Sequence, residues 1–127
     1  MINILADNSL EITPNEFFEI KNVSLSGRRG QKILSQYNFT GVYILFNKSE
    51  NMYYIGHGTK VLARINSHFT GAGNKDVYDD YKYGDEFSIK MISLANSPCA
   101  SLNELKQSVI ATYDAHASRY NKTRDNQ

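Results

Sequence analysis

Two short runs of β-branched and aromatic residues, separated by a polar segment, place the strongest constraint on how this chain can fold. The first run covers residues 41–47 (GVYILFN) and the second covers residues 52–56 (MYYIG), with about five turn-forming residues between them. Runs of this composition favour strands, and so short a connection joins antiparallel neighbours. The sequence therefore predicts a β-hairpin. Because side chains alternate along a strand, Tyr43 and Leu45 are expected on the face opposite to Val42.

The segments after the hairpin alternate between helix and strand patterns. Residues 60–69 carry apolar side chains at helical spacing, residues 86–94 alternate as a strand does, and residues 101–115 form an amphipathic helix with Ser101 as its N-cap. The polar, aromatic-rich residues 76–84 are assigned no element. The order is strand, strand, helix, strand, helix. We expect an α+β fold with a small central antiparallel three-stranded sheet flanked by helices.

Residues 1–39 are expected to form an N-terminal helical extension packed on a domain of residues 40–127. Thr13 to Glu16 has the pattern of a helix start, with Thr as the N-cap, Pro at the first helical position and Glu closing a capping box. One or two further helical turns are expected after Gly30. We treat the extension as part of a single compact fold, since 127 residues suit one domain.

Composition and cysteine count indicate the compartment. The chain is 41% hydrophobic and 21% charged, which is ordinary for a globular protein. No apolar run approaches the roughly 20 residues that cross a bilayer, and the first residues lack a secretion signal. The single cysteine, Cys99, excludes an internal disulfide. We therefore expect a cytoplasmic protein that makes no membrane contact.

Positive charge is local rather than global. The formal net charge is only +1, so no overall field marks a nucleic-acid-binding protein. Two clusters, within residues 21–32 and in the C-terminal tail, are nevertheless basic. They are either solvated surface charge or contacts to a phosphate backbone, where cationic side chains gain affinity by releasing counterions. The candidates for backbone contact are Arg28, Arg29, Lys32, Arg119 and Lys122.

Several residues that can carry chemistry lie on the hairpin and the next helix. Tyr43 and Tyr54 are on adjacent predicted strands, and Gly56 ends the second strand with a backbone that a ligand or another segment can approach closely. Arg64 and His68 are four residues apart and so share one helix face. Taken singly, each has a structural explanation: strand tyrosines usually pack, and an Arg/His pair on a helix is usually solvated.

The joint pattern resembles the GIY-YIG nuclease superfamily, which includes homing endonucleases, some restriction enzymes and the incision domain of nucleotide-excision repair. Gly41-Val42-Tyr43 stands for its first motif and Tyr54-Ile55-Gly56 matches its second. The spacing, the following Arg64 and His68, and the late Tyr120-Asn121 pair also fit. The resemblance covers residues 40–122, which is essentially everything except the extension.

The resemblance implies hydrolysis of DNA phosphodiester bonds assisted by one divalent metal, Mg²⁺ or Mn²⁺. It implies Tyr54 as the base or orienter of the attacking water, with Tyr43 beside it in a hydrogen-bond network. Arg64 would stabilise charge on the scissile phosphate. His68 would position groups or assist proton transfer, and Asn121 would brace the site.

Further implications concern the backbone and the partners. Gly41 and Gly56 would permit close approach at the two motifs. DNA would be the binding partner, and a stand-alone domain of this size can form a homodimer that cuts both strands.

One position departs from the family pattern. The family's metal ligand is a glutamate on the C-terminal helix, and counting back four residues from Ile110 and seven from Tyr113 gives Lys106. A lysine ammonium cannot ligate Mg²⁺ and would repel it. Glu104 lies about 200° around the helix from that position. Three explanations stay open: an inactivating substitution, a naturally degenerate site in a DNA-binding or interaction module, or a register error that makes Glu104 the ligand.

Overall fold

The fold combines a single sheet with helices on both of its faces. The computed structural model describes residues 11–24, 38–95, 97–114 and 117–120. The elements in these ranges are β1 (Glu11–Ile12), α1 (Pro14–Ser24), β2 (Gly41–Asn47), β3 (Met52–Gly58), α2 (Val61–Thr70), α3 (Lys75–Tyr83), β4 (Phe87–Ser93), α4 (Leu102–Asp114) and β5 (Ser118–Arg119). The α+β class is therefore confirmed. The helical turns expected after Gly30 lie outside the described residues.

The sheet is larger than the sequence suggested. Its strand order is β1-β4-β2-β3-β5, with β2 at the centre and antiparallel to both of its neighbours. β1 adds to β4 in antiparallel fashion, whereas β5 runs parallel to β3. The prediction of a three-stranded antiparallel sheet was wrong, because the described residues form a five-stranded mixed sheet. The two missed strands have two residues each and form only by pairing with distant parts of the chain.

The predicted hairpin is confirmed, and its register sorts the side chains onto two faces. Gly41 pairs with Gly58 at one end and Asn47 pairs with Met52 at the turn. Residues opposite each other in an antiparallel pair project to the same side. The α2 face, which α2 covers, therefore carries Tyr43, Leu45, Asn47, Tyr54 and Gly56. The α4 face, which α4 covers, carries Val42, Ile44, Phe46, Tyr53, Ile55 and His57.

Each face of the sheet has its own hydrophobic core. On the α2 face, Ile65 and Phe69 of α2 and Val77 of α3 pack against the sheet. On the α4 face, Leu105 and Val109 of α4 fill the corresponding positions. Fully burying one such side chain contributes about 1.5–3 kcal/mol. The hairpin is thus held from both sides, which keeps its side chains in fixed positions.

The N-terminal segment contributes to this fold through β1 and α1. Glu16 N–H donates to Thr13 Oγ1 at 3.1 Å, and Thr13 N–H donates to Glu16 Oε1 at 2.9 Å, which confirms the predicted capping box. Phe17 of α1 is fully buried in the core of the α2 face. The division of the chain at residues 39 and 40 stays a prediction.

Residues 76–84, to which the sequence assigned no element, belong largely to α3. The Asn74 side chain caps this helix by accepting a hydrogen bond from Val77 N–H at 3.0 Å. Gly84 ends it in the left-handed region, at φ 114°. Val77 is the helix's fully buried residue, and the segment as a whole is polar, which is why the sequence assigned it no element. In the described ranges, no helix combines the length and the apolar character that a membrane crossing requires.

Candidate active site

The two motif tyrosines converge on the α2 face of the hairpin. Tyr43 is fully buried and Tyr54 is half-buried, with their ring centroids 6.3 Å apart. Gly56 lies directly opposite Tyr43, and a Cβ at Gly56 would fall 2.2 Å from Tyr43 Oη. At Gly41, a Cβ would fall 2.1 Å from the carbonyl oxygen of Ile92. A side chain at either glycine would clash with its neighbour, and the absence of one at Gly56 lets the phenol of Tyr43 lie across β3.

The helix α2 brings a histidine against both tyrosines. Its predicted apolar side is confirmed, because Val61 and the apolar residues that follow it at helical spacing are buried. This packing directs His68 inward, where its ring centroid lies 5.5 Å from that of Tyr43 and 4.7 Å from that of Tyr54. The Nε2 atom of His68 lies 2.7 Å from Tyr43 Oη. Tyr43, Tyr54 and His68 thus form one contiguous cluster.

The hydrogen bonds of His68 define which ring nitrogen carries the proton. The backbone N–H of Asn74 donates to His68 Nδ1 at 2.8 Å, so Nδ1 is an acceptor and carries no proton. Burial, and then the positive charge of Arg64, lower the pKa of His68 to about 4. The ring is therefore neutral at pH 7, with its proton on Nε2. It follows that His68 donates to the Tyr43 hydroxyl oxygen and does not take the proton of Tyr43.

Arg64 lies at the exposed rim of this cluster. Its aliphatic stem passes over Gly58, where a Cβ would fall 3.2 Å from Arg64 Cγ. Burial raises the pKa of Tyr43 well above its ordinary value, and a charge on Tyr54 would raise it further, whereas the charge and hydrogen bonding of Arg64 lower it. Tyr43 is therefore a protonated phenol at neutral pH, and the guanidinium of Arg64 is the group that favours its deprotonation.

Lys106 lies on the other side of β3, on α4. It is half-buried, beside the buried Leu105. Burial first, then the positive charge of Lys106 and then that of Arg64 lower the pKa of His57. His57 is exposed near the end of β3. Two cationic side chains, on helices that cover opposite faces of the sheet, therefore both lie close to this imidazole.

The carboxylate of Glu104 is engaged at the start of α4. Its Oε2 accepts a hydrogen bond from Ala100 N–H at 2.9 Å, and its backbone N–H donates to Ser101 Oγ at 3.1 Å. These two bonds form a capping box, which confirms Ser101 as the N-cap of α4. A role for Glu104 as metal ligand would require this carboxylate to leave the helix N-terminus that it stabilises.

The side chains that the structure describes do not fit a divalent cation. Mg²⁺ and Mn²⁺ prefer oxygen ligands, carboxylates above all. Within residues 11–24, 38–95, 97–114 and 117–120, no group of three or more His, Cys, Asp or Glu side chains is placed to hold a metal ion. Position 106, where the family resemblance implies a carboxylate, carries a lysine. The donor groups of the described residues therefore give no support to the expected Mg²⁺ or Mn²⁺.

The remaining predicted residues fall into two groups. Arg119 is half-buried on β5, where it pairs with Tyr53 at the turn end of β3, away from His57. The others lie outside the described residues, so their positions stay predictions, as does backbone contact by Arg119. This second group consists of Arg28, Arg29, Lys32, Asn121 and Lys122.

Three residues of the site were not singled out from the sequence: His57, Gly73 and Asn74. Gly73 leaves room for the imidazole, because a Cβ there would fall 2.5 Å from His68 Nδ1. Asn74 acts through its backbone N–H, which residue type does not reveal. The sequence signal available for Gly73 and Asn74 was the pair of glycines and the N-capping asparagine directly after α2. His57 adjoins the second motif, and that adjacency was the only indication.

A second polar cluster lies at the turn end of β2. The Asn47 side-chain amide donates to Asp85 Oδ2 and to Tyr120 Oη, both at 2.8 Å. Tyr120 O–H in turn donates to Asp80 Oδ2 at 2.6 Å. Burial, and then the hydrogen bond to Asp80, raise the pKa of Tyr120 above its ordinary value. This cluster joins β2, α3 and the segment that follows β5.

The site thus consists of a hairpin with paired tyrosines, backed by a helix that supplies Arg64 and His68. The family model described as the GIY-YIG catalytic domain matches residues 39–99, a span that contains both motifs and α2. The match confirms the sequence resemblance for residues 39–99. Neither the curated proteins nor the solved structures give a match. Lys106 lies beyond the matched residues.

Proposed function

We propose that this chain is a DNA endonuclease domain that hydrolyses phosphodiester bonds, and that Lys106 impairs cleavage in the chain as it stands. The family match supports the class of activity. The observation that carries the proposal is the convergence of Tyr43, Tyr54 and His68 beneath Arg64. DNA is the proposed partner and a homodimer the proposed form for double-strand cleavage. The cytoplasmic location stays a prediction.

Each residue of the cluster has a proposed role that matches its surroundings. Arg64, at the exposed rim, binds the scissile phosphate and stabilises the charge that develops on it. Tyr54, half-buried, orients the attacking water. The Nε2–H of His68 donates a hydrogen bond to the Tyr43 hydroxyl oxygen and so holds that phenol beside Tyr54. The family's divalent metal has no part in these contacts, since an ammonium stands at position 106.

A second candidate function is DNA binding without cleavage. The observation that favours it is Lys106 itself, whose positive charge lies near His57 together with that of Arg64. Two cationic side chains at one edge attract a phosphate backbone even where hydrolysis is slow.

Replacing Lys106 distinguishes the two candidates. We expect the Lys106→Glu variant to relax or linearise supercoiled plasmid DNA when Mg²⁺ is present, because a carboxylate at this position supplies the oxygen ligand that Mg²⁺ prefers. The matched control is Lys106→Gln, which removes the positive charge without adding a carboxylate and is expected to stay inactive.

Two outcomes would contradict the proposal. If the Lys106→Glu variant binds DNA but does not cleave it, the binding module is the correct function. If the unaltered protein cleaves in Mg²⁺, the metal ligand lies elsewhere in the chain and Lys106 does not impair it.

A further inference from the structure

One long stretch of the chain carries no acidic side chain. None of the 13 Asp and Glu residues falls within residues 51–75, which include β3, α2 and the loop that follows α2. Residues 76–86, which include most of α3, hold five of them: Asp76, Asp79, Asp80, Asp85 and Glu86. The two helices on the α2 face therefore differ in charge. A polyanion is favoured on α2 and repelled by α3.

Main-chain contacts align Lys60 and the loop after α2 with Arg64. Arg64 N–H donates to the carbonyl oxygen of Lys60 at 3.3 Å, so Lys60 lies one helical turn before Arg64. The Ser67 hydroxyl donates to the carbonyl oxygen of Arg64 at 2.6 Å, and Ala72 N–H donates to the carbonyl oxygen of Ser67 at 3.0 Å. These contacts form a continuous strip, which we call the α2 ridge. It consists of Lys60, Ala63, Arg64, Ser67 and Ala72.

The α2 ridge is accessible and, apart from its two cations, it is built of small residues. Ser67 is half-buried and the other four residues are exposed. Short side chains let a ligand come close to the main chain between and beyond the cations. From Lys60 to Ser67 the ridge is about 10 Å long, at about 1.5 Å per residue. This length spans about three phosphates of one DNA strand, which advances about 3.4 Å per nucleotide.

The N-terminus of α2 is already capped by residues that precede β2. Val61 N–H donates to the carbonyl oxygen of Phe39 at 3.1 Å, and Leu62 N–H donates to Asn38 Oδ1 at 3.0 Å. Two of the main-chain donors that an anion would use at a helix start are therefore occupied. Phosphate binding by the ridge consequently depends on its two cationic side chains.

We propose that one strand of the DNA backbone lies along the α2 ridge, and that Lys60 binds the phosphate next to the one bound by Arg64. This inference rests on the proposed function, which places a backbone phosphate on Arg64. Lys60 supplies a compact ammonium with three N–H donors, and Arg64 supplies a planar fork of donors. Beyond Arg64, the strand passes over Ser67 and Ala72, where the main chain is not shielded by long side chains.

The first test measures the anisotropy of a fluorescein-labelled DNA duplex in EDTA, over a series of salt concentrations. We expect Lys60→Gln to lower the slope of log K against log salt concentration by about 0.9, the value for one neutralised phosphate. Binding at low salt should be roughly tenfold weaker, as for the loss of one charged hydrogen bond. Lys60→Arg should retain both quantities. The matched control is Lys82→Gln, which removes an exposed lysine of α3 and should match the unaltered chain.

A second pair of variants tests the far end of the ridge. Ala72→Glu places a carboxylate there, and we expect about fivefold weaker binding at low salt, as for one like-charge contact in water. Gln107→Glu adds the same charge at an exposed position of α4, on the other face of the sheet, and should bind as the unaltered chain does. Circular dichroism verifies that each variant is folded. Because Lys60 is the N-cap of α2, Lys60→Ser, with a preferred N-cap residue, replaces Lys60→Gln if the latter does not fold.

The inference is overturned if Lys60→Gln keeps either its affinity or its salt slope, or if Lys82→Gln loses as much of them. It is also overturned if Ala72→Glu binds no more weakly than Gln107→Glu, or if the unaltered chain does not bind the duplex in EDTA. These results are separate from the cleavage test. A Lys106→Glu variant that cuts DNA, combined with a Lys60→Gln variant that binds as before, refutes the path along the ridge and leaves the nuclease function standing.

Discussion

The α2 face of β2 carries two buried polar clusters, four residues apart, that use opposite charges. At Tyr43, a neutral histidine and an arginine surround a phenol. At Asn47, an amide and a tyrosine are bonded to Asp80 and Asp85. Each cluster is centred on a side chain of the same strand and includes a residue of a helix packed on that face, so buried polarity alone does not mark an active site.

The difference lies in where the hydrogen bonds lead. In the Asn47 cluster, the amide donates to Asp85 and Tyr120, Tyr120 donates to Asp80, and Asn47 Oδ1 accepts from Glu50 N–H at 3.1 Å. These hydrogen bonds join groups of the protein to one another. In the Tyr43 cluster, donors converge on one hydroxyl while Arg64 stands exposed at the rim. We infer that the first cluster is scaffold and the second is the reactive one.

The largest expected effect tests the exposed arginine of the reactive cluster. In a Lys106→Glu background, we expect Arg64→Ala to lower the cleavage rate by about 10²–10³-fold, because one preorganised contact to developing charge is lost. DNA affinity should fall much less. Plasmid cleavage and anisotropy measure the two quantities, with Lys48→Ala as the control. An equal loss of cleavage and binding would show that Arg64 only binds DNA.

The next effect tests the neutral state of His68. Its pKa is about 4 in the folded protein and near 6.5 when unfolded. Above pH 6.5 the His68 imidazole is neutral in both the folded and the unfolded protein, and its contribution to stability is fully present. As the pH falls from 6.5 toward 4, only the unfolded state gains the proton, so stability declines by up to roughly 3 kcal/mol. Urea unfolding at pH 7, 5.5 and 4.5 should show this decline in the unaltered protein beyond that in His68→Gln.

The matched control variant is His57→Gln, which removes an exposed histidine in place of a buried one. This variant should keep most of the acid sensitivity of the unaltered protein, because His57 is exposed and burial lowers its pKa less than that of the buried His68. If His68→Gln loses stability with acid as steeply as the unaltered protein does, burial does not hold the imidazole of His68 neutral. The contrast between the Tyr43 cluster and the Asn47 cluster, which contains Asp80 and Asp85, would then fail.

The smallest of the three effects concerns the scaffold cluster. Asn47→Ala should reduce the free energy of unfolding by about 2 kcal/mol at pH 7, since it leaves buried partners unsatisfied at Asp85 and Tyr120. Urea titration measures the change. Lys48→Ala, an exposed neighbour, should stay within about 0.5 kcal/mol of the unaltered protein. Equal stability of the two variants would mean that the Asn47 cluster does not support the fold.

The sequence was sufficient to predict the features that depend on local pattern. Strand alternation and a short polar turn predicted the hairpin, and helical spacing predicted the buried side of α2. Both signals are encoded within a few residues, so no knowledge of distant contacts was needed. The positions of Tyr43, Tyr54 and His68 in one cluster follow from these two elements and their packing.

Other features could not be predicted because distant parts of the chain create them. Asn47 and Tyr120 are 73 residues apart, and β1 and β5 are strands only through their partners. α3 is a polar segment that buries one side chain fully, so its composition resembles that of a loop. The contact between Asn74 and His68 is made by a backbone amide, which every residue except proline possesses.

Asn74 makes two contacts whose combined effect limits how the loop between α2 and α3 can vary. Its N–H holds the ring of His68 and its side chain begins α3, so one residue couples the end of one element to the start of the next. The loop from Gly71 to Asn74 can therefore change in composition at the exposed Ala72 but not in length. An insertion there would keep every motif residue in the sequence and still detach the imidazole from its anchor, a defect invisible to motif searches.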